Sequence, residues 1–389
     1  MTTVMLKVAT TYDGRRTHIS VRRYTTYLLR NLPKYGCKPI LLDTTKLSYR
    51  RYFLYRNLSF IREIKDVDVF HLTDVGPMGR LFVNQSPPPL LFLVKTLGLR
   101  VPIVVTNHGV YCFVLPPILW GKKPYKKRRP HFTIMTRKAL AIWGWRELTK
   151  PVDAIVTVSH ECKRVLSELL HVDPSKLFVV HHGVDHKLFR PIERQLALDY
   201  IVKKYNVKLN TKCKIVLHLS VYALVKNVEL IIMAVHELRK SGTQVTLLLA
   251  GPGHQERFGR MVSEDPHLRG HVIFIPFVKE EDLPYIYCAA DIAVYPSWHE
   301  GFGMPVLEAM SCARPVITSD IPTFHEIAGE CGIYVPQTDY KTLSKRILEL
   351  LNDPVYAESL GRELYIRSLN FSWDKTARET AAVYRNCLS

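Results

Sequence analysis

The sequence predicts an α/β protein built as two successive doubly wound domains of parallel β-sheet. Three observations carry that expectation. Short apolar runs alternate with segments of helical period, the runs fall into two sets with the same rhythm, and 389 residues exceed what one ordinary core organises. In chain order the first set is "VMLKVAT", "KPILLD", "VDVFHL", "PIVVTN", "DAIVTVS" and "LFVVHH". The second is "KIVLHLS", "QVTLLLA", "HVIFIPF", "DIAVYPS", "RPVITS" and "GIYVP". Continuous rather than alternating apolar character marks strands covered on both faces, as parallel sheets are. Between them run amphipathic stretches such as "SVRRYTTYLLRNLPKYG" and "VELIIMAVHELRKSG", the second stopped by Ser-Gly. The seam falls near "HHGVDHKLFRPIERQ", giving domains 1–188 and 189–371 and a last helix, 372–389, expected to cross back onto the first domain. Ligands of open parallel sheets sit beyond the carboxyl ends of the strands, so the site is expected in the cleft between the two domains.

Composition narrows the classes. Hydrophobic residues at 47% and charged residues at 23% exclude a disordered or fibrous chain. The best candidate for a bilayer-spanning run, "LLFLVKTLGLRVPIVV", is broken by Lys95 and Arg100. The start, "MTTVMLKVAT", lacks the charged region and apolar core of a secretory signal, so a cytoplasmic location is expected. Eight cysteines without a Cys-x-x-Cys pair suggest neither zinc nor a disulfide framework and fit a reducing compartment. The net charge of +19 points to anionic partners: phosphates, nucleic acid or an acidic membrane surface.

The densest chemistry lies in "SWHEGFGMPVLEAMSCARPVITSD", residues 297–320. Glu300 precedes the turn Gly301-Phe302-Gly303, whose glycines allow close backbone approach to a ligand. Pro305 suits the first turn of a helix, so free N–H groups of Val306 and Leu307 would seat a diphosphate. Glu308, placed on the same first turn, could accept hydrogen bonds from the paired hydroxyls of a ribose.

This stretch resembles the E-x7-E signature of the retaining glycosyltransferase family 4, which has the GT-B fold of two Rossmann-like domains. The resemblance extends through "IPTFHEIAGECGIYVPQTD" to "FSWDKTARETAAVYRN", and includes "VTVSHECKRVL", "VVHHGVDHKLFRP" and "LHLSVYALVKNVELIIMAV". It covers most of residues 150–389 and is weaker over 1–110. It implies a hexosyltransferase that moves mannose or glucose, from a donor such as GDP-mannose or UDP-glucose, to a glycan or lipid-linked acceptor. By the same resemblance Glu300 contacts the sugar hydroxyls, Glu308 the ribose, Lys226 the diphosphate, and His108 faces the donor sugar. No cofactor or metal is implied beyond the nucleotide sugar itself, and no Asp-x-Asp motif is present.

Several departures matter. Val221 stands where the family often has an arginine, and Ala313 where a glycine is common. After the first strand only Gly14 remains of the usual Gly-Gly loop, followed by Arg15 and Arg16, of which Arg16 is the candidate donor-binding cation. Residues 110–132 join an apolar, Trp-bearing stretch to Lys122, Lys123, Lys126, Lys127, Arg128 and Arg129, a pattern suited to the anionic inner face of a membrane. Two other readings stay open at this level: a nucleic-acid-associated or catalytically idle GT-B binding protein, and a GT-B phosphorylase or epimerase.

Overall fold

Among the described residues the twelve apolar runs form twelve strands, six in each of two all-parallel sheets. The computed structural model describes residues 5–12, 19–43, 66–73, 100–109, 149–209 and 213–389. The chain divides into two units and passes from the first to the second between Gly183 and Val184; Phe371–Ser389 returns to the first.

In unit 1 the strands are β1 (Leu6–Tyr12), β2 (Cys37–Asp43), β3 (Val69–Leu72), β4 (Ile103–Asn107), β5 (Ala154–Thr157) and β6 (Leu177–Val179), in the order β2-β1-β3-β4-β5-β6. Every residue of β3, β4 and β5 is buried, which is why these runs read as continuously apolar. Helices α1 (Ile19–Asn31) and α2 (His160–Glu168) belong to this unit. Ser159 caps α2 by accepting the Cys162 N–H at 3.1 Å.

Unit 2 holds β7 (Lys214–Leu219), β8 (Val245–Ala250), β9 (Val272–Ile275), β10 (Ile292–Tyr295), β11 (Val316–Ser319) and β12 (Ile333–Val335). Its order, β12-β11-β10-β7-β8-β9, means that the chain starts in the middle, winds one way to β9, then returns to build the other half. The winding reverses between β7 and β10. The helices are α3 (Arg194–Tyr205), α4 (Val228–Lys240), α5 (His254–Glu264), α6 (Leu283–Ala289), α7 (Met304–Ser311), α8 (Pro322–Ala328), α9 (Tyr340–Asn352) and α10 (Pro354–Ser368).

One device recurs in both sheets. Asp68, Asp153 and Asp291 each stand immediately before a strand and accept the first free N–H of its neighbour: Lys7 at 2.7 Å, Ile103 at 2.8 Å and Ile215 at 2.8 Å. The carboxylate satisfies a donor that the ladder has not yet reached, and the bond is strengthened by charge. Asp291 is also neutralised by Arg194 at 2.8 Å and Lys214 at 3.3 Å.

Helix α7 ends in a Schellman turn: the Ala313 N–H donates to Met310 O at 2.9 Å and the Arg314 N–H to Ala309 O at 3.0 Å. This turn requires a left-handed residue, and Ala313 takes it at φ 53° despite its Cβ. The glycine common in the resembling family is thereby explained as a backbone requirement.

The last helix, α11 (Trp373–Asn386), is keyed into the core of unit 1. Tyr384 bonds the buried His71 Nδ1 at 2.7 Å, His71 Nε2 meets Thr106 Oγ1 at 2.7 Å, and Thr106 meets the Tyr24 phenol at 3.1 Å. Trp373 lies parallel to Tyr27 at 5.1 Å, and Arg385 donates to the Tyr35 carbonyl. The chain before α11 passes so close to Gly183 that a Cβ there would sit 2.0 Å from the Trp373 nitrogen.

Three outcomes follow from these contacts. Tyr384→Phe strands a ring nitrogen of His71 in the core and lowers stability by about 1–3 kcal/mol in urea denaturation. Ala313→Gly relieves the left-handed strain and raises stability by about 1 kcal/mol, read as a higher urea midpoint. Desolvation lowers His71 and His218 each to about 3, so both are neutral when folded. An unfolded histidine takes up its proton near pH 6.5, so their contribution is complete above about pH 6.5 and is lost as pH falls toward 3. Urea midpoints should therefore decline progressively below pH 6.5, with net proton uptake on unfolding.

Candidate active site

The loops that leave β7 and β10 bring Lys226 and Glu300 together. Lys226 ends a short 3-10 turn (Leu224–Lys226), and its Nζ lies 2.7 Å from Glu300 Oε1. The same oxygen accepts the Ser297 hydroxyl at 2.7 Å, while Thr323 of α8 donates to the Glu300 carbonyl at 3.1 Å. The Glu300 side chain is 8% exposed and that of Lys226 20%. Among the described residues Oε2 has no hydrogen-bond partner, so one carboxylate oxygen is anchored and the other is available to a ligand hydroxyl.

The two loops are also tied through their backbones. The Trp298 N–H donates to Val225 O at 2.8 Å, and Asn227 Nδ2 donates to Pro296 O at 3.1 Å. The Ser319 hydroxyl holds the Ser297 carbonyl from β11 at 2.5 Å. Val221 is 43% exposed, and His218, deeper in β7, donates through Nδ1 to Val294 O and accepts the Ser220 hydroxyl.

Helix α7 differs from the sequence expectation in three respects. The N–H groups of Val306 and Leu307 both meet the Gly303 carbonyl, at 2.9 and 3.3 Å, and so are not free to seat a diphosphate. The reason is position: Gly303 is the N-cap residue, and the carbonyl of an N-cap accepts the first bonds of its helix. Glycine at this place also answers to packing: an added Cβ would lie 2.8 Å from the Phe324 ring and 3.3 Å from Ile327. Glu308 falls beyond the first turn, which holds no acid. The residue is 1% exposed, and its carboxylate accepts the Tyr287 phenol at 2.8 Å. Burial and the Glu308 charge hold the Tyr287 phenol well above its usual pKa, so it stays a donor. Gly301 and Phe302 are buried in the same turn.

His108 follows β4 in unit 1. Its Nε2 donates to the Thr73 carbonyl at 2.7 Å, which fixes the neutral tautomer and leaves Nδ1 to accept from His182 Nε2 at 3.3 Å. Desolvation lowers its pKa to about 4. Gly14, Arg15, Arg16 and the basic cluster from Lys122 to Arg129 lie outside the described residues.

Residue-by-residue reading of the sequence missed Ser297, Asn227, Thr323 and Tyr287. A serine three residues before a site glutamate, and an asparagine immediately after a site lysine, carry no signal of their own. Their roles arise from strands β7, β10 and β11 lying side by side.

Comparison with known proteins agrees with this architecture. Residues 36–188 match the family model "Glycosyltransferase Family 4", and residues 202–366 match "Glycosyl transferases group 1". The O-antigen chain mannosyltransferase B of Escherichia coli is 25% identical over 90% of this chain and 98% of its own length. A Rickettsia africae glycosyltransferase superposes with a TM-score of 0.74 at 18% identity, covering 99% of each chain. Anabaena HepE in complex with UDP-glucose superposes with a TM-score of 0.70 at 15% identity, covering 97% of this chain and 98% of that one. No described helix is long and apolar enough to cross a membrane. With two six-stranded parallel sheets and both family models matched in succession, the chain belongs to the group 1, family 4-like glycosyltransferases of the GT-B fold.

Proposed function

We propose that the protein is a retaining hexosyltransferase that moves mannose or glucose from a nucleotide diphosphate sugar to a glycan or lipid-linked acceptor without a metal ion. The observation that carries this reading is the Lys226–Glu300 pair at the point where the winding of the second sheet reverses. The E. coli relative, a mannosyltransferase by name, supports mannose, and the HepE complex supports a uridine nucleotide sugar as the alternative donor.

In this mechanism Lys226 turns from Glu300 toward the diphosphate. Negative charge grows on the phosphate oxygen as its bond to the anomeric carbon lengthens, so the ammonium stabilises the transition state more than the bound donor. The open Oε2 of Glu300 orients the hexose by accepting a ring hydroxyl. The acceptor hydroxyl attacks from the face the phosphate leaves, its proton passes to the departing phosphate oxygen, and nucleoside diphosphate is released. In this reading Glu300 lies beside the sugar hydroxyls and orients them, and it is not the nucleophile of a double displacement. Arg15 or Arg16 would supply the second phosphate cation in place of Val221, and neutral His108 would face the sugar. Residues 110–132 would hold the enzyme on an anionic membrane when the acceptor is lipid-linked.

The test is nucleoside diphosphate release from a panel of GDP- and UDP-sugars in EDTA. Release from one donor is expected, with kcat reduced roughly 100- to 1,000-fold in Glu300→Ala and in Lys226→Ala, the scale of removing one preorganised electrostatic group. Absence of release from every donor, with no thermal shift by GDP or UDP, would refute the transferase reading.

A further inference from the structure

Asn227 is built in a way that its place at a helix start does not explain. It precedes α4 as the N-cap residue, yet its side chain makes no capping bond. Asparagine is among the preferred N-caps because its side-chain oxygen accepts an N–H of the first turn. Here the amide is turned away, and both Nδ2 hydrogens are used across the sheet: Pro296 O accepts at 3.1 Å and Gln337 O at 2.8 Å. The first acceptor lies in the loop after β10, next to Ser297, which anchors Glu300. The second lies after β12. One amide therefore joins the exits of β7, β10 and β12.

Its backbone is equally specific. Asn227 is left-handed, φ 53° and ψ 41°, and only 9% exposed. Asparagine is one of the few residues other than glycine that visit this region readily, and glycine would have no amide to give. Lys226 is thus bracketed. On one side Val225 O receives the Trp298 N–H at 2.8 Å, and on the other Asn227 grips Pro296. With both chain neighbours of Lys226 fastened to the loop of its carboxylate partner, the backbone from which the lysine extends is held against Glu300.

We propose that Asn227 is a positioning residue: its double amide bridge to Pro296 and Gln337 fixes the Lys226 loop against the Glu300 loop at the spacing that the transfer step uses. This rests on the reading of Lys226 and Glu300 as the reacting pair. The bridge acts on placement rather than on nucleotide affinity, so its signature is a fall in kcat with donor binding retained.

The test compares the native protein with Asn227→Gly and Asn227→Asp. Asn227→Gly suits φ 53° and keeps the fold while deleting the bridge. Asn227→Asp keeps the size of the side chain but faces two carbonyls with a carboxylate. For Asn227→Gly, kcat with the donor found in the panel should fall roughly tenfold or more, the scale of a sub-ångström to ångström misplacement. GDP or UDP affinity by calorimetry should stay within about threefold and the melting curve should remain cooperative near the native midpoint. Asn227→Asp should lose more activity than Asn227→Gly. A second readout does not need turnover. The stability coupling between Lys226→Met and Glu300→Gln, from a double-mutant cycle, should shrink to less than half in the Asn227→Gly background. A native-like kcat in Asn227→Gly, a parallel loss of nucleotide affinity, or an unchanged coupling would each overturn the proposal. Were Glu300→Ala to release nucleoside diphosphate normally, the reacting-pair reading would fall, while the coupling would still decide whether Asn227 sets the geometry of the pair.

Discussion

A lysine and a glutamate held 2.7 Å apart with little access to water constrain everything around them. Removing one partner without supplying another leaves the other partly desolvated and uncompensated. Both must therefore arrive together, from loops separated in sequence but adjacent in space. The sheet order supplies that adjacency. Only because β10 returns to lie beside β7 do the exits of the two strands face each other. The strand order of unit 2 is in this sense the first requirement of the site, and the Asn227, Trp298, Ser297 and Ser319 bonds are the fine adjustment made on it.

The two glutamates of the signature stretch occupy unlike environments. Glu300 offers one open oxygen at the sheet's carboxyl end, whereas Glu308 is sealed in the helix that follows and is bonded to Tyr287. Their spacing is the same linear feature in the sequence, yet a strand exit and a helix interior give them different reach. Gly303 illustrates the same point. Its positive φ makes the turn, its carbonyl takes the N–H groups of Val306 and Leu307, and its missing side chain leaves room for the Phe324 ring.

Unit 1 shows how a distant segment can be locked in by a few polar contacts. The hydrogen-bonded series Tyr384, His71, Thr106, Tyr24 is wholly buried, and a buried polar series is costly unless each member finds a partner. The aromatic ring of Trp373 against Tyr27 and the close pass at Gly183 add shape to that requirement. The last nineteen residues, Phe371–Ser389, are therefore part of the first unit although the chain reaches them only after completing the second.

The sequence by itself determined the architecture of each half. Apolar runs such as "KIVLHLS" and "DIAVYPS" could be strands only if buried on both faces, and all twelve such runs are strands of parallel sheets. It also marked Glu300 and Lys226, because a charged residue just past a buried strand stands out against local composition and resembles a known signature. Tertiary structure alone decided which of the polar neighbours matter. Asn227 donates to carbonyls 69 and 110 residues away, Ser297 acts because Glu300 folds back onto it, and Val306 and Leu307 lose their N–H groups to the Gly303 carbonyl at the place where the helix actually starts. Periodicity and residue type record which face of an element is buried, and so they survive in the linear chain. Hydrogen-bond partnership depends on the direction of single bonds brought together by the sheet order, and nothing in a one-dimensional pattern encodes it.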